Sequence, residues 1–485
     1  MYKKYWTVDK LDKLYKDWDP KVLDELKDKI SKSDWRLGYH IQPETGLLSD
    51  PNGFSYFNNQ WHLFYQAFPY GAVHGLKSWS HVVSDDLVHW ENVHKPMVPD
   101  QYNDIKGCFS GSAYSTKDKL FLMYTGNVFK KNKYDESVRY AYQNGAWMDK
   151  NNNIKKLDKA LIDGSPDGIT GHFRDPQVIK HGKYYYAFLG ARSVNDKGQF
   201  IVYRSTSLDN GWTYYKHLDV GAYNDERLGY MAECPNIGFI DGKLILVFCP
   251  QGADHSKFRY SNFYPTAYII ADALDWDNMK LINPSKMQQL DEGFDFYATQ
   301  LLQDPNGRLL EVAWIGVPDT DYLSPGEGWV GSLSMIRELS VKDNKLFQKP
   351  VDENNQLISS EIPVNDGMNI CKQSVIKFNC NSDGLCKIFL KSDNSYLKVY
   401  LDNDRSCVKI IRKNWGEQET SRECPLDINN FDTCYLYLDN TVFELFINNG
   451  MKTMTGNFYH DGLNINLHFN NLSSIKINKM ISINN

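Results

Sequence analysis

The sequence predicts an all-β protein: a five-bladed β-propeller followed by a C-terminal β-sandwich, with a short N-terminal helix in front. Three observations carry this. Five look-alike hairpins recur between residues 54 and 316, with turns about 60 residues apart. A repeat of that length with several strands suits one propeller blade, because radial repetition protects strand edges. After residue 356 the text changes to many short alternating strands, the pattern of an antiparallel sandwich.

The elements follow in chain order. Asp19-Pro20 is a good N-cap and first-turn pair, and Val22, Leu23, Leu26 and Ile30 recur at helical spacing. A helix over 19–31 is therefore expected to lie on the main domain. The hairpins turn at Asn58–Gln60, Lys117-Asp118, His181-Gly182, Asp241-Gly242 and Pro305–Gly307. Downstream of three of them, SDDLVHWENV (84–93), STSLDNGWTYY (205–215) and ADALDWDNMKLI (271–282) read as turns feeding an outer strand, each with an anchoring Trp. The expected division is a helical extension (1–34), the propeller (35–345), a polar linker LFQKPVDENNQ (346–356) and the sandwich (357–485).

Composition narrows the function. The chain holds 31 Tyr, 24 Phe and 12 Trp, residues that suit strands and also the flat faces of sugars. A net charge of −6, with no long Lys/Arg stripe, argues against a nucleic-acid partner. No apolar run is long enough for a membrane span. The start, MYKKYWTVDK, has lysines but no apolar segment, so a cytoplasmic location is expected. Nine cysteines without CxxC spacing read as mostly reduced thiols, and no ligand-spaced His/Cys cluster calls for a metal or other cofactor. Oligomeric state is left open.

Three acidic motifs stand just upstream of hairpins: Ser-Asp-Pro-Asn-Gly (49–53), Phe-Arg-Asp-Pro (173–176) and Glu-Cys-Pro-Asn (233–236). In a propeller the innermost strands begin near one channel, so Asp50, Asp175 and Glu233 are expected to converge. Convergent carboxylates are the usual equipment for breaking a glycosidic bond. The second unit places CFSGS at that level, and the fifth places Asp295-Phe296-Tyr297 there. A plainer reading competes for each motif alone. DPNG is a turn sequence and recurs at 304–307, and Arg174-Asp175 by itself reads equally well as a structural ion pair. Three acids in register with one repeat favour the site.

The ordered stretches YHIQPETGLLSDPNGFSYFNNQWHLFYQ, HGLKSWSHVVSDDLVHW, FSGSA, FLMYTGN, HFRDPQV, YMAECPN, LDEGFDFYATQ and GEGWVGSLS resemble glycoside hydrolase family 32. This is the invertase family of β-fructofuranosidases, and the likeness runs nearest to the bacterial sucrose-6-phosphate hydrolases. The resemblance covers almost the whole chain and implies a five-bladed propeller followed by a sandwich. It implies Asp50 as nucleophile, Glu233 as general acid/base, and Asp175 as the residue that fixes fructosyl hydroxyls. It also implies Ser49, Gln66, Trp79, Phe109, Ser110, Arg174, Tyr297 and Trp314 as the lining of the fructosyl subsite. The family carries Asn before the nucleophile where this chain has Ser49, which cannot donate from an amide.

The implied activity is retaining hydrolysis of sucrose 6-phosphate or sucrose through a covalent fructosyl intermediate. His74, Lys77 and Arg192 are candidate phosphate contacts. Hydrolysis of short fructans and fructosyl transfer remain open within the same chemistry. A catalytically silent sugar-binding propeller is the alternative from another class. In each case the partner is a small sugar.

Overall fold

The computed structural model describes residues 6–129, 139–221, 228–253, 262, 264–381, 384–426, 433–462 and 464–483. Five sheets of four or five strands fill residues 46–350, antiparallel except for one pairing. We number them I to V in chain order. Their first strands are Gly46–Phe57, Cys108–Ser115, Ile169–His181, Met231–Ile240 and Tyr297–Gln303. Each first strand packs against that of the next sheet, and the fifth returns to the first, so these inner strands form a closed ring. Trp329–Val330 adds in parallel to Gly46-Leu47, fastening the end of the ring to its beginning.

The hairpins form where the sequence marks them because their turn residues accept left-handed backbone. Asn58 and Asn59 have φ of 52° and 62°, and Asp241 and Gly242 have φ of 53° and 71°. Consecutive positive φ angles match the twist of the flanking strands. Side chains then bridge the inner strands. Asn52 Oδ1 accepts from Gly111 N (2.9 Å) and Ser112 Oγ from Val178 N (3.0 Å). Gln177 Oε1 accepts from Ile237 N (2.7 Å), and Asn236 Oδ1 from Leu301 N (3.1 Å). These bonds satisfy strand-edge amides that splay apart where the sheets fan outward. All five inner strands line a cavity of about 450 Å³ at the hairpin end of the ring. Two of the three Trp anchors act locally, Trp90 and Trp212 donating to the carbonyls of Leu87 (3.0 Å) and Leu208 (2.9 Å), whereas Trp276 stacks on His181 of sheet III with ring centroids 4.2 Å apart.

The last third forms two six-stranded sheets that share one apolar core, including Ile376, Phe378, Ile388, Val399, Leu436 and Leu445. The helix expected over 19–31 spans Lys21–Ile30. One boundary differs from expectation. The stretch read as a linker overlaps Lys345–Pro350, the outermost strand of sheet V, paired along Arg337–Lys342. Along it Leu346 and Gln348 are buried while Lys345 and Lys349 are exposed. Among the described residues no helix is long and apolar enough to cross a membrane.

A buried charged seam joins the two parts. Arg337 of sheet V, fully buried, donates to Glu444 Oε2 (3.1 Å from Nε), Gln348 Oε1 (2.7 Å) and Thr455 Oγ1 (2.7 Å). His40 bridges Asp439 (2.8 Å) and Glu444 (2.9 Å). Gly293 has to lack a side chain, because a Cβ there would lie 2.1 Å from the Thr455 carbonyl oxygen.

Candidate active site

Each inner strand carries one extra residue relative to its partner at the same level. The slips fall between Leu48 and Pro51, Cys108 and Gly111, Arg174 and Gln177, Glu233 and Asn236, and Tyr297 and Gln300. A bulge bends a strand and re-aims its side chains. Repeated around a ring, it turns five short segments toward one place. Glu233 is the last paired residue before its bulge, Asp175 is the first residue within one, and Asp50 is the second. The three acids thus share a level but are offset by one residue each, rather than occupying one identical repeat position. Successive positions across a bulge point in different directions, which lets three carboxylates approach one ligand from different sides.

The bonds among them cross four sheets. Asp50 Oδ2 accepts from Ser110 Oγ (2.8 Å), which accepts in turn from Gln66 Nε2 (2.7 Å). Gln66 pairs across its hairpin with Trp79, whose indole donates to the Phe109 carbonyl (3.1 Å). Asp175 Oδ2 accepts from Cys234 N (3.0 Å), and the Asp175 amide donates to Thr125 Oγ1 (3.0 Å). Both Asp175 and Cys234 hold left-handed backbone, φ 63° and 49°. For Cys that conformation costs about 1–2 kcal/mol, so the fold holds a strained segment beside the acids. Arg174 donates from Nε (2.9 Å) and Nη2 (2.5 Å) to Glu233 Oε1, and its Nε lies 3.8 Å from Asp175. Tyr297 O–H donates to the other oxygen of Glu233, and Trp314 is the cross-strand partner of Tyr297.

Burial pushes the Asp175 carboxyl up; Arg174 pulls it back, Glu233 pushes it further, the Cys234 N–H lowers it and Asp50 raises it. Groups from three sheets therefore act on one small carboxyl. The Cys234 thiol is also pushed up, by burial first and then by Asp175. It stays a neutral neighbour of the acids.

The remaining candidates divide between two sides. Ser49, fully buried, receives Lys77 Nζ at 3.2 Å, and that nitrogen lies 2.9 Å from His74 Nδ1. His74 packs edge-on to Trp314, with ring centroids 6.0 Å apart. Burial lowers Lys77 to about 8, with Asp50 pulling it back up. Lys77 thus supplies a cationic donor at Ser49. Arg192 lies elsewhere: its guanidinium covers the Tyr230 ring at 5.0 Å and pairs with Asp196 at 2.8 Å. Arg139, His172 and Tyr230 were missed from the sequence, although His172 stands in the HFRDPQV stretch, two residues before Arg174. Among the described residues no group of three or more His, Cys, Asp or Glu is arranged to hold a metal ion.

Three acids, an arginine and a tyrosine grouped at the bulges of the inner strands are the equipment that cleavage of a glycosidic bond uses, and the comparisons with known proteins give the same class, a glycoside hydrolase. Residues 40–350 match the model of the glycosyl hydrolases family 32 N-terminal domain. The chain belongs to that family. It is 39% identical over 458 residues to a sucrose-6-phosphate hydrolase of Pediococcus pentosaceus, covering 92% of this chain and 90% of the relative. The sucrose-6-phosphate hydrolase of Streptococcus mutans is likewise 39% identical over 453 residues, covering 92% and 93%. Among solved structures, a sucrose-6-phosphate hydrolase from Lactobacillus gasseri superposes with a TM-score of 0.91 at 36% identity, over 99% of this chain and 100% of that one. A family 32 β-fructofuranosidase of Bombyx mori gives 0.83 at 28%, over 96% and 98%.

Proposed function

We propose that this enzyme is a retaining β-fructofuranosidase that hydrolyses sucrose 6-phosphate, and sucrose, in the cytoplasm. Asp50 is the nucleophile, Glu233 the general acid/base, and Asp175 the group that binds fructosyl hydroxyls. Sheets I to V are read as the blades of a five-bladed propeller over residues 35–350, and 357–485 as its sandwich. One observation supports the reading: Asp175 and Glu233, from separate inner strands, are joined through Arg174 and the Cys234 amide, and the charge of Asp50 reaches Asp175 from a third.

Asp50 attacks C2 of the fructosyl unit while Glu233 gives its proton to the glycosidic oxygen. The leaving glucosyl unit departs with that proton, and oxocarbenium character at C2 is stabilised by the adjacent carboxylates. Water then attacks C2, Glu233 takes the water's proton, and Asp50 is released as carboxylate. Both partners of Glu233, Arg174 and Tyr297, are donors. Sugar hydroxyls therefore have to draw part of that donor set away as the substrate seats. Lys77 takes over the donor role at Ser49 that the family's Asn side chain would have.

Product analysis with sucrose, sucrose 6-phosphate and a short fructan tests the proposal. Fructose is expected from the first two, with retention at C2 and the phosphorylated sugar favoured. No release from either sucrose form would end the hydrolase reading, and preferential cleavage of the fructan would replace the substrate.

A further inference from the structure

The position of the general acid tells which wall of the site meets the leaving group, because its proton goes to the glycosidic oxygen. Around Glu233 that wall is built from Arg174, His172 and Tyr230. His172 Nδ1 lies 3.1 Å from Arg174 Nη1. Arg192 reaches the same wall from sheet III: Thr170 Oγ1 donates to its carbonyl (2.9 Å) and its guanidinium covers Tyr230. Arg139 arrives from sheet II. Its carbonyl oxygen would lie 2.0 Å from a Cβ at Gly171, so the two backbones touch just before His172. Its guanidinium lies 5.7 Å from the ring centre of Phe109, the neighbour of Ser110.

Burial, and then the charges of Arg174, Arg139 and Arg192, lower His172 to about 3, so the imidazole is neutral and all three arginine charges act on it. The opposite wall is different. Lys77 is 7% exposed and lies on Ser49, beside the nucleophile that takes the fructosyl unit.

We infer that Arg139, Arg192 and His172 form the site for a phosphomonoester carried on the leaving sugar. Guanidinium forks match phosphate oxygens, and a neutral imidazole adds a donor without needing a proton from solvent. Lys77 and His74 serve the fructosyl side instead. The inference rests on the fructofuranosidase reading above.

The test compares kcat/KM for sucrose 6-phosphate and for sucrose in the wild type and in Arg139→Gln, Arg192→Gln, Arg192→Lys and Lys77→Met. Each Gln variant is expected to lower the ratio of the two values by about tenfold or more, the scale of one charge-assisted bond. Arg192→Lys should keep part of the ratio, and Lys77→Met should lower both values alike, leaving the ratio unchanged. Competitive inhibition by glucose 6-phosphate gives a second reading without chemistry and should weaken in parallel. An unchanged ratio in the Gln variants, or one that collapses in Lys77→Met, overturns the assignment. A wild type that cleaves neither sugar would instead strike down the underlying function.

Discussion

Replacing Arg337 with Met should break the seam between the ring of sheets and the C-terminal sheets. Arg337, Glu444, Asp291 and Glu311 are all fully or almost fully buried. The guanidinium lies 3.3 Å from Asp291 and 3.9 Å from Glu311, in addition to its bonds to Glu444. Its face also lies 4.4 Å from the ring centre of Phe296 and 5.0 Å from that of Phe446. Met fills much of the volume but leaves buried carboxylates without their cation, a loss of about 3–5 kcal/mol. Spread over the unfolding entropy of a 485-residue chain, that corresponds to a fall in Tm of about 3–5 °C.

The pH dependence gives a sharper signature. Burial resists the Glu444 charge, but Arg337 and His40 outweigh it and hold Glu444 at about 2 against an ordinary 4.5. Its contribution is complete above pH 4.5 and is lost as pH falls toward 2. His40 stands at about 9 against 6.5; burial opposes its charge, while Asp439 and Glu444 raise it. Its contribution is complete below pH 6.5 and is lost as pH rises through 9. Glu311, pushed up to about 8 by burial, also disfavours high pH. Stability should therefore be highest between about pH 4.5 and 6.5 in the wild type, and the loss on the acid side should shrink in Arg337→Met. Calorimetry or urea unfolding across pH 3 to 10 measures both effects. A Tm within about 2 °C of wild type at pH 6 would refute the argument that this cation neutralises the seam.

Glu233→Gln should lower kcat by about 10²–10⁴-fold with little change in KM, since it removes proton transfer while keeping the shape; steady-state kinetics on sucrose checks this. Asp50→Asn should abolish the covalent intermediate, so mass spectrometry of enzyme quenched during turnover should find the fructosyl adduct in wild type alone. Gly293→Ala should cost about 1–3 kcal/mol, because its methyl meets the Thr455 backbone and neither chain can move alone. Thermal melts would measure this, and a neutral result would mean that the seam yields easily.

The hairpins were legible because alternation and turn chemistry are local: Asn58-Asn59 and Asp241-Gly242 need no distant partner to declare themselves. The short alternating strands read after residue 356 form for the same reason, among them Gln373–Cys380 and Leu472–Met480. The bulges were not legible. Whether Asp175 pairs or projects depends on Gly190 and Phe188 across the hairpin, and nothing within FRDP records that slip. Sheet V's last strand passed for a linker because Lys345–Pro350 is rich in polar residues and its partner starts only at Arg337. The acids themselves stood out through their motifs. Arg139 did not, since only the crossing of two backbones at Gly171 brings it near His172.

The seam also sets a schedule for manufacture. Tyr39 and His40 leave the ribosome early, yet their carboxylate partners Asp439 and Glu444 follow about 400 residues later. Through nearly all of translation that early segment lacks its carboxylate partners. The nascent ring can close on Trp329–Val330 before then, but its mooring to the final sheets waits for the last codons. A message cut short after residue 350 would yield a hub whose Arg337 lacks Glu444, and the truncated product would be a natural target for quality-control proteases.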